Sequence, residues 1–123
     1  MIPYSILIAE DDHFLAETIN KILQELELNC TIVHSGTAVL EEYQSAYYDL
    51  VLLDIMMPGL NGFETAEAIR KTNSYIPIIA FTSLDFKEIE DKIAKSGINH
   101  YLKKPTEVRE LRKLLLGYFA KAA

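Results

Sequence analysis

Four short apolar runs in this chain lead straight into residues that can do chemistry. Ile6-Leu7-Ile8-Ala9 runs into Glu10-Asp11-Asp12, and Leu50-Val51-Leu52-Leu53 into Asp54. Ile78-Ile79-Ala80-Phe81 runs into Thr82-Ser83, and the stretch from His100 to Leu102 into Lys103-Lys104-Pro105. Carboxylates a few ångströms apart raise one another's pKa unless a cation stands between them. A hard divalent ion relieves that repulsion, and Mg²⁺ takes one or two carboxylates together with waters and phosphate oxygens. Lys104 brings a second positive charge, able to pair with a carboxylate or a phosphoryl oxygen. Thr82 offers a hydroxyl to the same oxygen. An Asp beside Mg²⁺, Lys and Thr is equipped as a nucleophile toward phosphorus, because the cations neutralise charge on the transferring group. Met56-Met57-Pro58-Gly59 is a turn sequence, and Asn61-Gly62 is another. A tight loop there brings a backbone carbonyl near Met56 to the metal. Pro105 restricts Lys104 to extended geometry, which aims its side chain.

These residues need a scaffold that gathers them. The nearly continuous apolar runs at Ser5–Ala9, Cys30–Val33, Asp49–Leu53, Pro77–Phe81 and His100–Leu102 suit strands buried on both faces of a parallel sheet. Between them the spacing turns helical. Leu15, Ile19, Ile22, Leu23 and Leu26 form one apolar stripe, and Ala38–Tyr43, Phe63–Ile69, Phe86–Ala94 and Val108–Phe119 predict four more helices. Asp12 and the run Ser35-Gly36-Thr37 read as helix starts. Gly97, after Lys95-Ser96, reads as a helix stop. Strand and helix therefore alternate five times. Right-handed βαβ units of this kind build a doubly wound α/β fold, a five-stranded parallel sheet in the order 2-1-3-4-5. Ligands in such sheets bind beyond the carboxyl ends of the strands, at the switch between strands 1 and 3. Glu10, Asp11 and Asp54 stand there.

The bulk properties limit the alternatives. A chain of 123 residues with half of them hydrophobic supports one core, read as a single domain over residues 1–123. A net charge of −6 and an isoelectric point near 5.0 argue against direct nucleic-acid binding and against an anionic membrane surface. Met1-Ile2-Pro3-Tyr4 lacks a signal-peptide pattern, and no apolar run reaches membrane-spanning length, so a cytoplasmic location is expected. Lys121-Ala122-Ala123 reads as the start of a linker. The single cysteine, Cys30, excludes an internal disulfide and reads as an inert buried thiol.

Over essentially its whole length the chain resembles the receiver domain of two-component response regulators, with the flavodoxin-like (βα)5 fold of chemotaxis regulators. The resemblance is carried by Ile8-Ala9-Glu10-Asp11, Leu53-Asp54-Ile55-Met56-Met57-Pro58-Gly59, Thr82, Tyr101 and Lys104-Pro105. The runs Ile8–Asp11 and Ile76–Ala80 also look somewhat like receivers of hybrid sensor kinases. The resemblance implies a phosphorylation-activated switch. Asp54 accepts a phosphoryl group from the phosphohistidine of a histidine kinase or histidine phosphotransfer domain, with Mg²⁺ as cofactor. Asp11 is the direct metal ligand, Glu10 acts through water, and Asp54 and the Met56 carbonyl complete the protein set. Thr82 and Lys104 bind phosphoryl oxygens, the Lys104-Pro105 bond is cis, and Tyr101 reports the phosphorylated state on the face formed by the fourth helix, fifth strand and fifth helix. The chain assists its own phosphorylation and slow dephosphorylation, without external turnover. His13, with Phe14, Glu17, Thr18 and Lys21, falls on the kinase-docking face of the first helix.

Departures from the family pattern are specific. Asn61 replaces the usual Asp before Gly62 and still supports a turn. Thr106 follows Pro105 where an aromatic or aliphatic residue is common. Met56 and Leu84, two past Asp54 and two past Thr82, cannot orient water, which predicts a long-lived aspartyl phosphate. Other readings use the same residues. A haloacid-dehalogenase-type phosphohydrolase needs a second Asp two residues after the nucleophile, where this chain has Met56. A flavin binder needs a phosphate cradle after strand 1, where three acids stand. A degenerate receiver acting only as a protein-binding module would lack the complete Asp–Thr–Lys set. His13, His34 and His100 share no metal-ligand spacing and read as structural or surface groups.

Overall fold

The computed structural model describes residues 4–106 and 108–122. Met1–Pro3 and Ala123 lie outside the described residues, whereas Lys121 and Ala122, expected to begin a linker, belong instead to the last helix. Strands β1 (Ser5–Ala9), β2 (Asn29–Val33), β3 (Leu50–Asp54), β4 (Ile78–Thr82) and β5 (His100–Lys103) alternate with helices α1 (His13–Glu25), α2 (Gly36–Ser45), α3 (Gly62–Arg70), α4 (Phe86–Ser96) and α5 (Val108–Ala122). All strand pairs are parallel and the order is β2-β1-β3-β4-β5. This is the flavodoxin-like arrangement expected from the sequence.

Alternate side chains leave a strand on opposite faces, so each strand feeds two cores. Leu7, Val51, Leu53, Ile78 and Ala80 pack with Val39, Ala66, Ile69, Ile89 and Ile93 from α2, α3 and α4. Ile6, Ile8, Leu50, Leu52, Ile79 and Phe81 pack with Ile19, Ile22, Leu23, Leu111 and Leu115 from α1 and α5. Strands β3 and β4 are buried throughout, and β1 at all but its first residue. The expectation of burial on both faces fails for β2 and β5, which are partly exposed along their length. They are the edges of the sheet, and an edge strand has a neighbour on one side only. Cys30 lies on that edge and is half-buried rather than buried. Burial pushes its thiol up to about 11, so the inert reading stands.

Helix starts follow local hydrogen bonding. Asp12 caps α1 through Leu15 N (3.1 Å), and Ser35 caps α2 through Ala38 N (3.1 Å). Asn61 does more than support a turn. Its Oδ1 accepts from Glu64 N at 2.9 Å while Glu64 Oε1 accepts from Asn61 N at 3.1 Å, a reciprocal cap on α3. Gly97 ends α4 at φ 81°, the left-handed conformation that favours glycine. The α3 start must come very close to β3. A Cβ on Gly62 would sit 2.7 Å from the Asp54 carbonyl oxygen and the Ile55 Cα.

Candidate functional site

Parallel strands end on one edge, so the sheet gathers the residues that follow each apolar run. Glu10 and Asp11 leave β1, Asp54 and Thr82 are the last residues of β3 and β4, and Lys104 follows β5. Each of Glu10, Asp11 and Asp54 offers a carboxylate oxygen, and these oxygens lie within 4.8 Å of one another. Glu10 and Asp54 are buried, as is Thr82, whereas Asp11 is exposed. One wall of the cluster is therefore dry and the other open to solvent.

Lys104 reaches in from the far side. Its Nζ lies 2.6 Å from Glu10 Oε1 and 3.4 Å from Asp54 Oδ2, with the Phe81 ring centroid 5.1 Å away. Its main chain is tied to β4 by Lys104 N donating to Thr82 O at 2.8 Å, and the bond to Pro105 is cis. Lys103 points away and pairs with exposed Asp85. Of the two lysines, the one beside Pro105 enters the site. Met56 N donates to Asp54 Oδ1 at 3.1 Å and Asp12 N to Glu10 Oε2 at 3.1 Å, orienting both buried carboxylates. The Met56 side chain is exposed, two residues past Asp54.

The cluster is under-compensated by protein groups alone. Burial, reinforced by the charge of Glu10, pushes Asp54 up to about 7. Lys104 opposes the shift, a hydrogen bond with Asp11 adds to it, and the Met56 N–H opposes it. Glu10 Oε1 is buried with the ammonium close by but no aligned hydrogen-bond donor. Three oxygen donors, one of them lacking such a donor, fit a hard divalent cation and its waters.

A measurable consequence follows for the cation-free protein. Between the ordinary Asp range and about 7 the folded chain holds a proton that the unfolded chain has lost. Stability therefore falls as pH rises through that window. In EDTA, Asp54→Asn is expected to be more stable than the wild type at pH 8 by roughly 2 kcal/mol, a gap that narrows toward pH 4. Urea denaturation at both pH values reads this. A wild type as stable as the variant at pH 8 would contradict it.

Thr82 and Tyr101 are joined through Leu84, a residue marked in the sequence only as unable to orient water. Leu84 N donates to Thr82 Oγ1 at 3.3 Å, and Leu84 O accepts from the Tyr101 hydroxyl at 2.5 Å. Tyr101 is half-buried, with its ring centroid 5.5 Å from that of Phe86. A main-chain link of this kind leaves no mark in residue type. His13 and His34 are exposed, as a surface reading has it, yet both border the site. His34 Nδ1 lies 2.8 Å from the Glu10 carbonyl oxygen, and the two imidazole centroids are 4.1 Å apart. His100 lies elsewhere, edge-on to Tyr118. Phe14, Glu17 and Lys21 are exposed on α1 beside His13, and Thr18 is partly buried. Among the described residues no helix is long and apolar enough to cross a membrane.

Comparison with known proteins agrees with this geometry. The family model described as the response regulator receiver domain matches residues 6–116. The uncharacterised transcriptional regulatory protein YkoG of Bacillus subtilis is 41% identical over 108 residues, covering 86% of this chain and 46% of that protein. Hybrid signal transduction histidine kinase I of Dictyostelium discoideum is 34% identical over 124 residues, covering 94% of this chain and 7% of that protein. The chain thus spans less than half the length of these curated relatives. Among solved structures it is similar to the receiver domain of sensor histidine kinase PA1611 from Pseudomonas aeruginosa PAO1, whose active-site cleft coordinates a magnesium ion. The TM-score is 0.87 at 27% identity, covering 97% of this chain and 99% of that one. An acidic pocket at the strand ends and a family match over nearly the whole sequence lead to one assignment: the chain belongs to the response regulator receiver domain family, a signalling module of two-component systems.

Proposed function

We propose that this chain is a phosphorylation-activated switch in which Asp54 accepts a phosphoryl group from the phosphohistidine of a histidine kinase or histidine phosphotransfer domain. One observation carries the reading: buried Asp54 shares a 4.8 Å cluster with Glu10 and Asp11 while Lys104 Nζ stands 3.4 Å from its Oδ2. Asp11 would hold Mg²⁺ directly, Glu10 would act on it through water, and Asp54 and the Met56 carbonyl would complete the protein set. The ion would supply charge neutralisation on the transferring oxygens. Asp54 attacks phosphorus, the bond from phosphorus to the imidazole nitrogen breaks, and the imidazole leaves with the electron pair. Lys104 takes a phosphoryl oxygen, and Thr82 donates its hydroxyl to another.

The aspartyl phosphate carries nearly two negative charges where the carboxylate carried one, and it brings strong acceptor oxygens. Thr82 Oγ1 accepts from Leu84 N at 3.3 Å and keeps its own proton to give, so a phosphoryl oxygen that draws the hydroxyl toward it lengthens this contact. The Leu84 carbonyl, in the next peptide group, accepts from the Tyr101 hydroxyl, so a shift of the Leu84 backbone changes both contacts. Tyr101 then turns inward and the surface of α4, β5 and α5 changes. Both arrangements exist before phosphorylation, and phosphorylation shifts their populations through these differential contacts.

The direct test is incubation with acetyl phosphate and Mg²⁺, read by intact mass. Wild type is expected to gain one phosphoryl group and Asp54→Ala none. Equal modification of the two proteins, or none in the wild type, would overturn the assignment. The lifetime of the modified form tests Met56 and Leu84. Met56 is exposed, Leu84 packs partly buried against the core, and neither can hydrogen-bond an attacking water. Met56→Asn supplies a polar group and is expected to speed phosphate release about tenfold, the effect of ~1.4 kcal/mol on the barrier. Radiolabelled phosphate release measures it, and an unchanged rate would remove Met56 from control of the lifetime.

A further inference from the structure

The acidic loop is gripped from outside by a histidine pair. Glu10 follows the last residue of β1, where Ala9 pairs with Val33 in β2. Its backbone is nonetheless held as if the ladder ran one residue further. Glu10 N donates to Val33 O at 3.0 Å, and Glu10 O lies 2.8 Å from His34 Nδ1. A carbonyl oxygen can only accept, so His34 carries its proton on Nδ1 in this contact. The ring of His13, the first residue of α1, lies with its centroid 4.1 Å from that of His34 at an interplanar angle of 35°. The loop from Glu10 to Asp12 is therefore closed by a noncovalent bridge, from the Glu10 carbonyl through His34 to His13 at the head of α1.

That bridge bears on the carboxylates. Glu10 is 1% exposed and its carboxylate lies between Lys104 Nζ, 2.6 Å from Oε1, and the loop backbone, so where the Glu10 backbone is fixed decides how the carboxylate meets both. Asp12 N donates to Glu10 Oε2 at 3.1 Å, so a shift of the Asp12 peptide moves the carboxylate too. Asp11, the exposed member of the cluster, lies between the two anchored ends. Groups that hold a ligand-bearing segment tune affinity without touching the ion.

We propose that His34, braced by His13, is a positioning residue for the cation site, holding the Glu10 carbonyl so that Glu10 and Asp11 present their oxygens to Mg²⁺. The proposal rests on the reading of Glu10 and Asp11 as the cation-holding pair. It separates two properties of the imidazole, the Nδ1–H donor and the flat ring against His13. His34→Asn keeps an N–H donor the same number of bonds from the backbone and loses the ring. His34→Phe keeps the ring and loses the donor.

The test is Mg²⁺ titration by calorimetry on wild type, His34→Asn, His34→Phe and Asp11→Asn, with amide hydrogen exchange of Glu10 and Asp12 measured without metal. Affinity is expected to fall about fivefold in His34→Phe, the loss of one hydrogen bond, and to stay within about twofold of wild type in His34→Asn. Glu10 and Asp12 amides are expected to exchange faster in His34→Phe alone, while amides in the centre of β3 stay unchanged in every variant. Wild-type affinity and exchange in His34→Phe would overturn the positioning role and leave the metal reading intact, provided Asp11→Asn loses binding. Equal loss in His34→Asn and His34→Phe would also overturn it, since the donor would then not be the operative group. A wild type that binds no Mg²⁺, or an Asp11→Asn variant that binds normally, would overturn the metal reading and the proposal with it.

Discussion

Lys104→Met is expected to slow phosphorylation of Asp54 by about 10²–10³-fold, the usual effect of deleting one preorganised charge donor from a transferring group. In the resting structure the ammonium stands between two buried carboxylates, 2.6 Å from Glu10 and 3.4 Å from Asp54. It therefore serves two purposes that the variant separates. Without metal at pH 8 the two acids lose their counter-charge, and stability is expected to drop by about 1–2 kcal/mol. That is less than the full loss for a broken buried pair, because Asp54 readily takes up a proton. Saturating Mg²⁺ restores the charge balance and most of the stability, and leaves the rate low. Lys104→Arg keeps the charge on a broader planar group and is expected to recover stability more fully than rate. Single-turnover phosphorylation with acetyl phosphate, beside urea denaturation with and without Mg²⁺, measures both effects. A Lys104→Met rate within about threefold of wild type would remove Lys104 from the chemistry.

Gly62→Ala is expected to cost about 2–3 kcal/mol of stability through one added methyl group. The new carbon would lie 2.7 Å from the Asp54 carbonyl oxygen, the Ile55 Cα and the Ile55 Cδ1. Two of these belong to the backbone, which cannot step aside as the end of a flexible side chain can. Gly62 N also donates to Ile55 O at 3.0 Å, so the start of α3 and the end of β3 are held together and must part. The displaced segment carries Asp54, so phosphorylation is expected to weaken along with stability. Gly117 gives the contrast. It sits within α5 with nothing within 4 Å of an added Cβ. There the ordinary helical preference applies, and Gly117→Ala is expected to gain about 0.5–1 kcal/mol. Urea denaturation of both variants checks the pair, and a Gly62→Ala protein as stable as wild type would disprove the close approach.

Much of this protein was legible along the chain, because the relevant signals are local. Apolar runs of four or five residues separated by helical stripes specify alternating strands and helices whatever the surroundings. A parallel sheet then requires each strand end, with Glu10, Asp54, Thr82 and Lys104, to emerge on the same edge. Asp12, Ser35 and Gly97 marked helix ends because their bonds reach only a few residues.

The tertiary structure decided what depends on neighbours distant in sequence. Sheet order made β2 and β5 the edges, so Cys30 became half-buried despite its apolar surroundings in sequence. Glu10 and His34 are separated by 24 positions, and Leu84 and Tyr101 by 17, so no spacing rule joins them. Each contact uses a main-chain carbonyl, which every residue has and no residue type advertises. Composition and periodicity could therefore name the acids that hold charge and the lysine that balances it. Only the packed sheet could show which imidazole grips the acidic loop and which residue's backbone ties Thr82 to Tyr101, because strand register and helix packing set those distances.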